Sequence, residues 1–167
     1  MAALSCSLKG LDIRWMIRRQ LPAVLAIESE SFDQPWDEAE FLRHLRQREI
    51  IGMVAEHEDQ VVGFMLYGLK RHELQVHNFA VAPAVRRCGV GATMVAKLVG
   101  KLSPFKRRRI EVNVGEANLP AQLFFRDCGF KATDVLREFY ETGEDAYSMV
   151  YALSESAVPL HGEPVAR

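Results

Sequence analysis

A strand, a basic glycine-containing turn and a helix follow one another near the middle of this chain. A mainly apolar run predicts the strand over residues 74–81, and apolar residues at 3.6-residue spacing predict the helix over residues 89–102. Unpaired N–H groups and the positive end of the helix dipole meet at the turn between them, residues 86–91, so the backbone there can hold a phosphate group. The segment predicts an α/β protein with an anion site where the strand meets the helix.

Two nucleotide-binding motifs do not fit this turn. A Walker-type loop needs Lys followed by Ser or Thr after its second glycine, whereas Ala92 and Thr93 stand there. The dinucleotide fingerprint needs a small residue where Met94 stands, although Glu111 lies about 20 residues on, as a ribose-binding acid would. What remains is Arg-x-x-Gly-x-Gly, and a strand-to-helix connection that binds no ligand also stays open.

Charge and cysteine content argue against several classes of protein. The net charge of −1 gives no reason to expect a nucleic-acid or membrane partner. Cys6, Cys88 and Cys128 form no Cys-x-x-Cys pair, and they fit a reducing cytoplasm better than a disulfide framework or a metal site. No apolar run is long enough to span a bilayer, and no signal peptide is expected, so the sequence predicts a cytoplasmic protein without a metal.

Strands and helices alternate along the chain without internal repeats. Periodicity predicts strands over 11–17, 50–56, 61–69, 74–81, 109–114, 130–140 and 146–153, and helices over 20–29, 37–47, 89–102 and 120–127. Asp37 with Glu40 predicts a capping box, and Gly129 predicts the end of the last helix. Residues 1–10 are predicted as an extension, 11–153 as one domain and 154–167 as a disordered tail.

The turn and the order of elements together resemble the GCN5-related N-acetyltransferases (GNAT). The Arg-x-x-Gly-x-Gly turn is similar to their acetyl-CoA pyrophosphate loop, and residues 118–130 resemble their Asn-x-x-Ala-x-x-Leu-Tyr…Gly-Phe segment. Residues 32–36 and 139–149 are similar to a narrower branch, the bacterial ribosomal-protein alanine N-acetyltransferases. The resemblance covers residues 11–153 and implies a mixed, mostly antiparallel sheet of about seven strands with about four flanking helices.

This resemblance assigns acetyl-CoA to the turn and to the strand before it. Backbone groups of Phe79, Ala80 and Val81 would meet the acetyl and pantetheine portions, and an N–H there would polarise the thioester carbonyl. Asn118 would bond near the pantetheine. Transfer would be direct, so Cys88 need not be a nucleophile despite its place beside a helix N-terminus. The residues predicted to bind the pyrophosphate are Arg86, Arg87, Cys88, Gly89, Val90, Gly91 and Ala92.

The resemblance fails at the residues that move protons. Aligned without gaps, the branch's glutamate base falls on Asn113 and its tyrosine acid falls on Phe125, which stays only a predicted cofactor contact. Even spacing puts Glu73 and His77 on one face of the preceding strand, where either could accept a proton. Tyr140 is a further candidate on the acceptor side. The structural alternatives are a hydrogen-bonded histidine, a solvated carboxylate and a packing tyrosine.

The ionisation of the acceptor amine favours an α-amine if the site has no strong general base. A lysine amine of pKa about 10.4 is only about 0.1% neutral near pH ~7.5, whereas an α-amine of pKa about 7.8 is roughly one-third neutral. Loss of a general base, typically about 10² to 10⁴ in rate, matters less for the α-amine. The sequence predicts an acetyl-CoA-dependent N-acetyltransferase acting on a protein or peptide N-terminus, with a non-catalytic acyl-CoA-binding module as the alternative.

Two further segments concern possible partners. The acceptor groove is expected beside residues 32–36, which include the predicted contact Phe32, and residues 139–146. Trp36 and Tyr140 are expected as aromatic walls, with Glu144 or Asp145 as a partner for an ammonium group. Phe32 and Trp36 fit equally well as core residues that hold the loop. Residues 106–109 form a basic run in a loop that has no interleaved aromatic residues, so a solvated patch is expected there and not a nucleic-acid site.

Overall fold

One mixed sheet with helices on both faces makes up the computed structural model, which describes residues 7–154. Its strands are β1 (Asp12–Trp15), β2 (Ile50–His57), β3 (Gln60–Leu69), β4 (Glu73–Val81), β5 (Arg109–Gly115), β6 (Lys131–Leu136) and β7 (Ala146–Ala152), and its helices are α1 (Leu21–Ser31), α2 (Glu38–Leu45), α3 (Val90–Val99) and α4 (Leu119–Asp127). The predicted order and types of these elements are confirmed. Most of the predicted extension and nearly all of the predicted tail lie outside the described residues.

The sheet places β4 beside β5 at its centre. The strand order is β1-β2-β3-β4-β5-β7-β6, and every neighbouring pair is antiparallel except β4 with β5. Helices α3 and α4 bury residues such as Leu98 and Phe125 in a core on one face, here called the α3/α4 face. Helices α1 and α2 bury residues such as Val24 and Phe41 on the other, the α1/α2 face.

Side-chain caps and special backbone angles bound the helices. Asp37 accepts the Glu40 N–H at 2.8 Å before α2, and Asn118 accepts the Ala121 N–H at 3.2 Å before α4. Gly129 follows α4 with a φ of 92°, the left-handed geometry typical of a helix C-terminus. In the described part of the chain, no helix has the length and hydropathy that crossing a membrane requires.

The last hairpin differs from its prediction. β6 ends at Leu136, so the prediction of a strand over residues 130–140 is wrong in its second half. Asp145 explains the difference, because its carboxylate accepts the Glu138 N–H at 2.8 Å and pairs with Arg137 at 2.6 Å. These bonds hold residues 137–145 in a loop near the end of β5, and this loop carries Tyr140.

β4 and β5 separate partway along their length. They pair only over residues 73–76 and 109–112, after which β4 continues beside β3 and β5 continues beside β7. A gap between the two central strands therefore opens toward Val81 and Gly115. This opening matches the splayed strands that the sequence resemblance implies.

A β-bulge interrupts β4 where it leaves β5. Two consecutive residues of β3 pair with Val76 and Asn78, so His77 is the extra residue. Alternation is lost there, and two consecutive side chains lie on the α1/α2 face. Asn78 donates to Glu28 of α1, and the His77 ring lies 6.0 Å from the His44 ring of α2.

Candidate active site

The turn after β4 has the backbone geometry of an anion site. Arg87 and Gly89 have positive φ angles of 62° and 83°, which turn neighbouring N–H groups toward one side of the loop. Helix α3 begins at Val90 without a side-chain cap, so N–H groups of its first turn are available in the same region. The backbone of this turn fits a pyrophosphate group.

Arg86 holds the turn to two other elements. Its Nε donates to the Val81 C=O at 3.0 Å and its Nη2 donates to the Ser31 hydroxyl at 2.9 Å, which ties the turn to the ends of β4 and α1. Arg87 is exposed and its side chain forms no hydrogen bond within residues 7–154, which makes it a candidate for a direct phosphate contact. Cys88 is disulfide-bonded, so the expectation of reduced cysteines is wrong at this position.

β4 directs alternate backbone groups into the opening beside β5. The Ala82 N–H bonds the Val62 C=O at 2.8 Å, and the antiparallel ladder therefore uses the Ala80 backbone for β3 as well. Phe79 and Val81 alternate with these residues, so their N–H and C=O groups point away from β3. The Phe79 backbone and the Val81 N–H can bond an extended ligand in the opening, because the Val81 C=O already accepts from Arg86. The predicted backbone contact of Ala80 is directed at β3.

A cavity of about 290 Å³ lies where β4 and β5 separate. Its walls come from the loop after α1, from both central strands and from the loop of residues 137–145. The lining residues are Trp36, Gln75, Val76, His77, Asn113, Phe139 and Tyr140. The fold thus brings together four of the residues predicted for catalysis or acceptor binding: Trp36, His77, Asn113 and Tyr140.

His77 is placed in the cavity by its neighbours on three elements. Gly68 of β3 makes room for the imidazole, because a Cβ at residue 68 would lie 2.7 Å from the His77 Nε2. His44, 6.0 Å away between ring centroids, is itself stacked on Trp36 at 4.3 Å. Partial burial lowers the pKa of His77, and the charges of His44 and Lys70 lower it further. His77 is therefore neutral near pH ~7 and can accept a proton.

Asn113 adds to the cavity a hydrogen-bond acceptor that has no donor within residues 7–154. Its Oδ1 is buried and has no hydrogen-bond partner among the described residues. Such an oxygen costs about 1–3 kcal/mol, which a ligand N–H would offset. Glu111 lies earlier on β5, beside Gln75 of β4, and does not line the cavity. The position aligned with the branch's base therefore offers a hydrogen-bond acceptor instead of a titratable group.

Glu73 is placed for a structural role. It is only 8% exposed, and its carboxylate pairs with the Arg109 Nε at 2.7 Å and the Lys70 Nζ at 3.2 Å. Burial alone would raise the pKa of Glu73, but the hydrogen bonds from these two cations, with their charges, hold the pKa below its usual value. Glu73 lies outside the cavity lining and joins the start of β4 to the start of β5.

Phe125 and Asn118 are both engaged in the fold. Phe125 is 4% exposed, with its ring 5.1 Å from Phe130 and 6.1 Å from Phe79. The Phe125 ring packs against the Phe79 side chain, and Phe79 lies on the strand that is predicted to bind the cofactor. Asn118 caps α4 with its Oδ1, which leaves its amide NH₂ for a ligand.

The loop that carries Tyr140 is fixed against the end of β5. Glu144 accepts the Ala117 N–H at 3.0 Å, and a Cβ on Gly115 would lie 2.6 Å from the Glu144 Oε1. Burial raises the pKa of Tyr140, and the Glu144 charge raises it further, so the phenol stays protonated at neutral pH. Glu144 is thus already bonded to backbone, and Phe32 lies at the end of α1, outside the cavity lining.

A buried carboxylate supports the acceptor side of the site. Glu28 of α1 is 1% exposed, and it accepts the Trp36 N–H at 2.8 Å and the Asn78 amide at 3.0 Å. Burial raises the pKa of Glu28, and the two hydrogen bonds act against this rise. The side chain links α1, the loop after it and the bulged part of β4.

Three residues of this region are missed by the sequence analysis: Glu28, His44 and Gly68. Two signals were available. Glu28 lies on the apolar stripe that Leu21 and Val24 mark on α1, and a polar residue on a buried face indicates a specific partner. Gly68 lies inside a predicted strand, which indicates a close approach by another group. No local pattern indicates that His44 stacks on a residue of the preceding loop.

Opened central strands, an uncapped helix start after a glycine turn and an adjoining cavity are together the features expected of an acyl-CoA-dependent acyltransferase. Residues 19–130 match the model of the Acetyltransferase (GNAT) family. The chain belongs to this family and is an N-acetyltransferase, which transfers acetyl groups to amines.

Three comparisons show the range of similar proteins. The chain is 26% identical over 137 residues to the ribosomal protein bS18-alanine N-acetyltransferase of Salmonella typhimurium, covering 80% of this chain and 92% of the relative. It is 29% identical over 126 residues to an N-alpha-acetyltransferase of Sulfurisphaera tokodaii, covering 68% and 75%. The crystal structure of Ard1 from Thermoplasma volcanium superposes with a TM-score of 0.78 at 25% identity, covering 87% of this chain and 99% of that one.

Proposed function

We propose that this chain transfers the acetyl group of acetyl-CoA directly to the α-amine of a protein or peptide N-terminus, with His77 as the proton acceptor. The observation that carries the proposal is the cavity where His77, Asn113, Trp36 and Tyr140 meet beside the opening of the central strands. Similar proteins named as an N-alpha-acetyltransferase and a ribosomal-protein alanine N-acetyltransferase support the choice of acceptor.

The proposed cofactor site consists mainly of backbone. Acetyl-CoA, the donor that this family uses, supplies an acetyl group activated as a thioester. The N–H groups of the turn and of the first turn of α3 would hold its pyrophosphate, with Arg87 adding charge. The N–H and C=O groups of Phe79 and the N–H of Val81 would hold its pantetheine arm along the opening beside β4. Arg86 would act indirectly by fixing the shape of the turn.

The proposed proton transfer uses His77. Its lowered pKa keeps the imidazole unprotonated when an amine arrives, and the acceptor nitrogen loses its proton to the ring. The Asn113 Oδ1, which is buried and unpaired, would accept a hydrogen bond from the acceptor N–H and orient its lone pair. The CoA thiol has a pKa of about 8.5, so its thiolate is a good leaving group and needs little help from a general acid. The Tyr140 O–H can donate a hydrogen bond to the departing sulfur.

An α-amine suits this arrangement better than a lysine amine. A base with a pKa below about 6.5 is poorly matched to an ammonium group of pKa about 10.4, whereas an α-ammonium of pKa about 7.8 gives up its proton readily. Trp36 and Tyr140 would flank the first residues of the acceptor. Glu144 would shape this wall through its bond to Ala117 instead of pairing with the ammonium group.

The test is acetyl transfer to matched peptides. One set has a free N-terminus and no lysine, the other has a blocked N-terminus and one lysine, and release of free thiol is followed beside mass spectrometry of the peptides. We expect acetylation of the first set only. Transfer confined to lysine, or a rate that follows a lysine-like pKa, would refute the proposal.

The same assay distinguishes the acetyltransferase from the second candidate function, a module that binds acyl-CoA without turnover. Asn113 and Phe125 replace the titratable pair of the similar branch, and this favours a module that holds acyl-CoA without turnover. Thermal stabilisation by acetyl-CoA without thiol release from any peptide would support that module. Family membership argues for the enzyme.

A further inference from the structure

Basic side chains from two loops gather at the end of the sheet where the central strands β4 and β5 begin. The Arg107 Nε donates to the Lys70 C=O at 2.6 Å, and the Arg108 N–H donates to the His72 C=O at 3.2 Å. The turn between β3 and β4 thus lies against the loop between α3 and β5. The cationic residues brought together, here called the basic edge, are Lys70, Arg71, Lys106, Arg107, Arg108 and Arg109.

Backbone bonds hold the basic edge in place. The Ser103 N–H bonds the Arg107 C=O at 2.8 Å, the Lys106 N–H bonds the Ser103 C=O at 3.3 Å, and the Leu153 N–H bonds the Arg108 C=O at 2.9 Å. The loop is therefore tied both to itself and to the segment after β7. A surface fixed in this way loses less conformational entropy on binding than a basic tail would.

The charge of the basic edge is only partly neutralised. Lys70 and Arg109 share the Glu73 carboxylate. Among residues 7–154, no carboxylate forms an ion pair with Arg71, Lys106 or the two arginines at 107 and 108. Because the whole chain has a net charge of only −1, this positive surface is a local concentration and does not reflect a basic protein.

An exposed aromatic ring adjoins these cations. Phe105 precedes Lys106 and is 76% exposed, although a phenylalanine is usually withdrawn from water. No aromatic residue is interleaved within residues 106–109, but the fold exposes the Phe105 ring immediately before the run. A flat ring next to unpaired cations is the combination that single-stranded nucleic acids bind, because phosphates pair with the cations and a base stacks on the ring.

We propose that the basic edge binds a single-stranded RNA segment, with its phosphates along Arg71 and residues 106–108 and one base stacked on Phe105. The site is distinct from the proposed acetyl-CoA site. Glu73 at one end of β4 lies beside the basic edge and Val81 at the other end lies beside the anion-binding turn, about 26 Å apart for a strand of this length. The enzyme could hold RNA and acetyl-CoA at once.

Fluorescence anisotropy with a labelled oligouridine of about 12 nucleotides tests the proposal, at salt concentrations from about 50 to about 200 mM. Each phosphate contact contributes about −0.7 to the slope of the logarithm of the association constant against the logarithm of the salt concentration. Four cations that form no ion pair therefore predict a slope near −3. The double variant Lys106→Ser/Arg108→Ser should reduce the slope by about 1.4. Phe105→Ser should weaken binding about 5- to 150-fold without changing the slope.

A matched control removes two exposed arginines elsewhere, Arg18→Ser/Arg46→Ser, with the same change in net charge. This variant should bind like the unaltered chain, and circular dichroism should give every variant the same fold. No binding at about 50 mM salt, or an equal loss in the control, would overturn the proposal. Competition by polyglutamate as strong as by unlabelled RNA would also overturn it, in favour of an acidic protein partner.

Discussion

Replacement of His77 by glutamine should slow acetyl transfer in a manner that depends on pH. Burial and the charges of His44 and Lys70 lower the pKa of His77, so more than half of the imidazole is unprotonated at pH ~6.5, and this fraction grows as the pH rises. At that pH an α-amine of pKa about 7.8 is only about 5% neutral, whereas near pH ~9 it is about 94% neutral. The base is needed most at the lower pH, where the acceptor arrives protonated.

The magnitude follows from these fractions. Loss of a general base costs about 10² at the lower end of its usual range, and we expect that deficit in kcat/KM for His77→Gln at pH ~6.5. The neutral fraction of the amine rises about 20-fold by pH ~9, so the deficit should shrink to about fivefold. The assay is initial rates of thiol release with one N-terminal peptide across this pH range.

The control is His44→Phe, which keeps a ring stacked on Trp36 but removes the second imidazole. Its rate should match the unaltered enzyme above pH ~7. Its acidic limb should move to higher pH, because removal of a neighbouring positive charge raises the pKa of His77. A deficit of the same size at every pH in the His77→Gln enzyme would show that His77 packs the site without moving a proton.

Substitutions at three further residues test the site. Glu28→Ala should lower the free energy of unfolding in urea by about 2–5 kcal/mol, because it leaves the buried Asn78 amide and the partly buried Trp36 N–H unpaired, and a loss under about 1 would contradict this. Because burial raises the folded-state pKa of Glu28, its contribution is full below the unfolded pKa of 4.5 and is lost as pH rises through the folded value, a dependence that Glu28→Gln should abolish. Gly89→Ala should weaken acetyl-CoA binding in a thermal-shift titration, whereas Gly10→Ala, with similar strain at φ 76°, should reduce stability alone. Gly68→Ala should displace the His77 ring and reproduce the His77→Gln pH profile; a normal profile would show that the ring adapts.

Local patterns predict the helices and strands, and the strand-turn-helix segment at the proposed cofactor site, because both depend on neighbours in sequence. The helix α3, the turn at residues 86–91 and the strand before it form one continuous segment, so their residues and spacing contain the information. β6 shows the limit of this reasoning. Its residues read as a strand to Tyr140, but Asp145 takes the Glu138 N–H and ends the ladder at Leu136.

The acceptor side could be predicted only in part, because it is assembled from distant segments. Aromatic and polar residues indicate Trp36, His77 and Tyr140 one at a time, whereas their meeting in one cavity depends on the opening of β4 and β5. The roles of Glu28 and Glu73 depend on which groups face them across the fold. Periodicity cannot report that one accepts two neutral donors and the other pairs with two cations.

Because of the bulge at His77, the pairing register of β4 with β3 before residue 77 does not depend on the presence of that residue, and neither does the register after it. The β3 partners of Val76 and Asn78 are already consecutive, so deletion of His77 would restore a regular ladder without moving either half out of register. Other changes to strand length would turn Phe79 and Val81 to the wrong face. Position 77 is therefore where such a chain can gain, lose or exchange a side chain at the cavity through one codon, while the turn at residues 86–91 and the strand leading to it stay as they are.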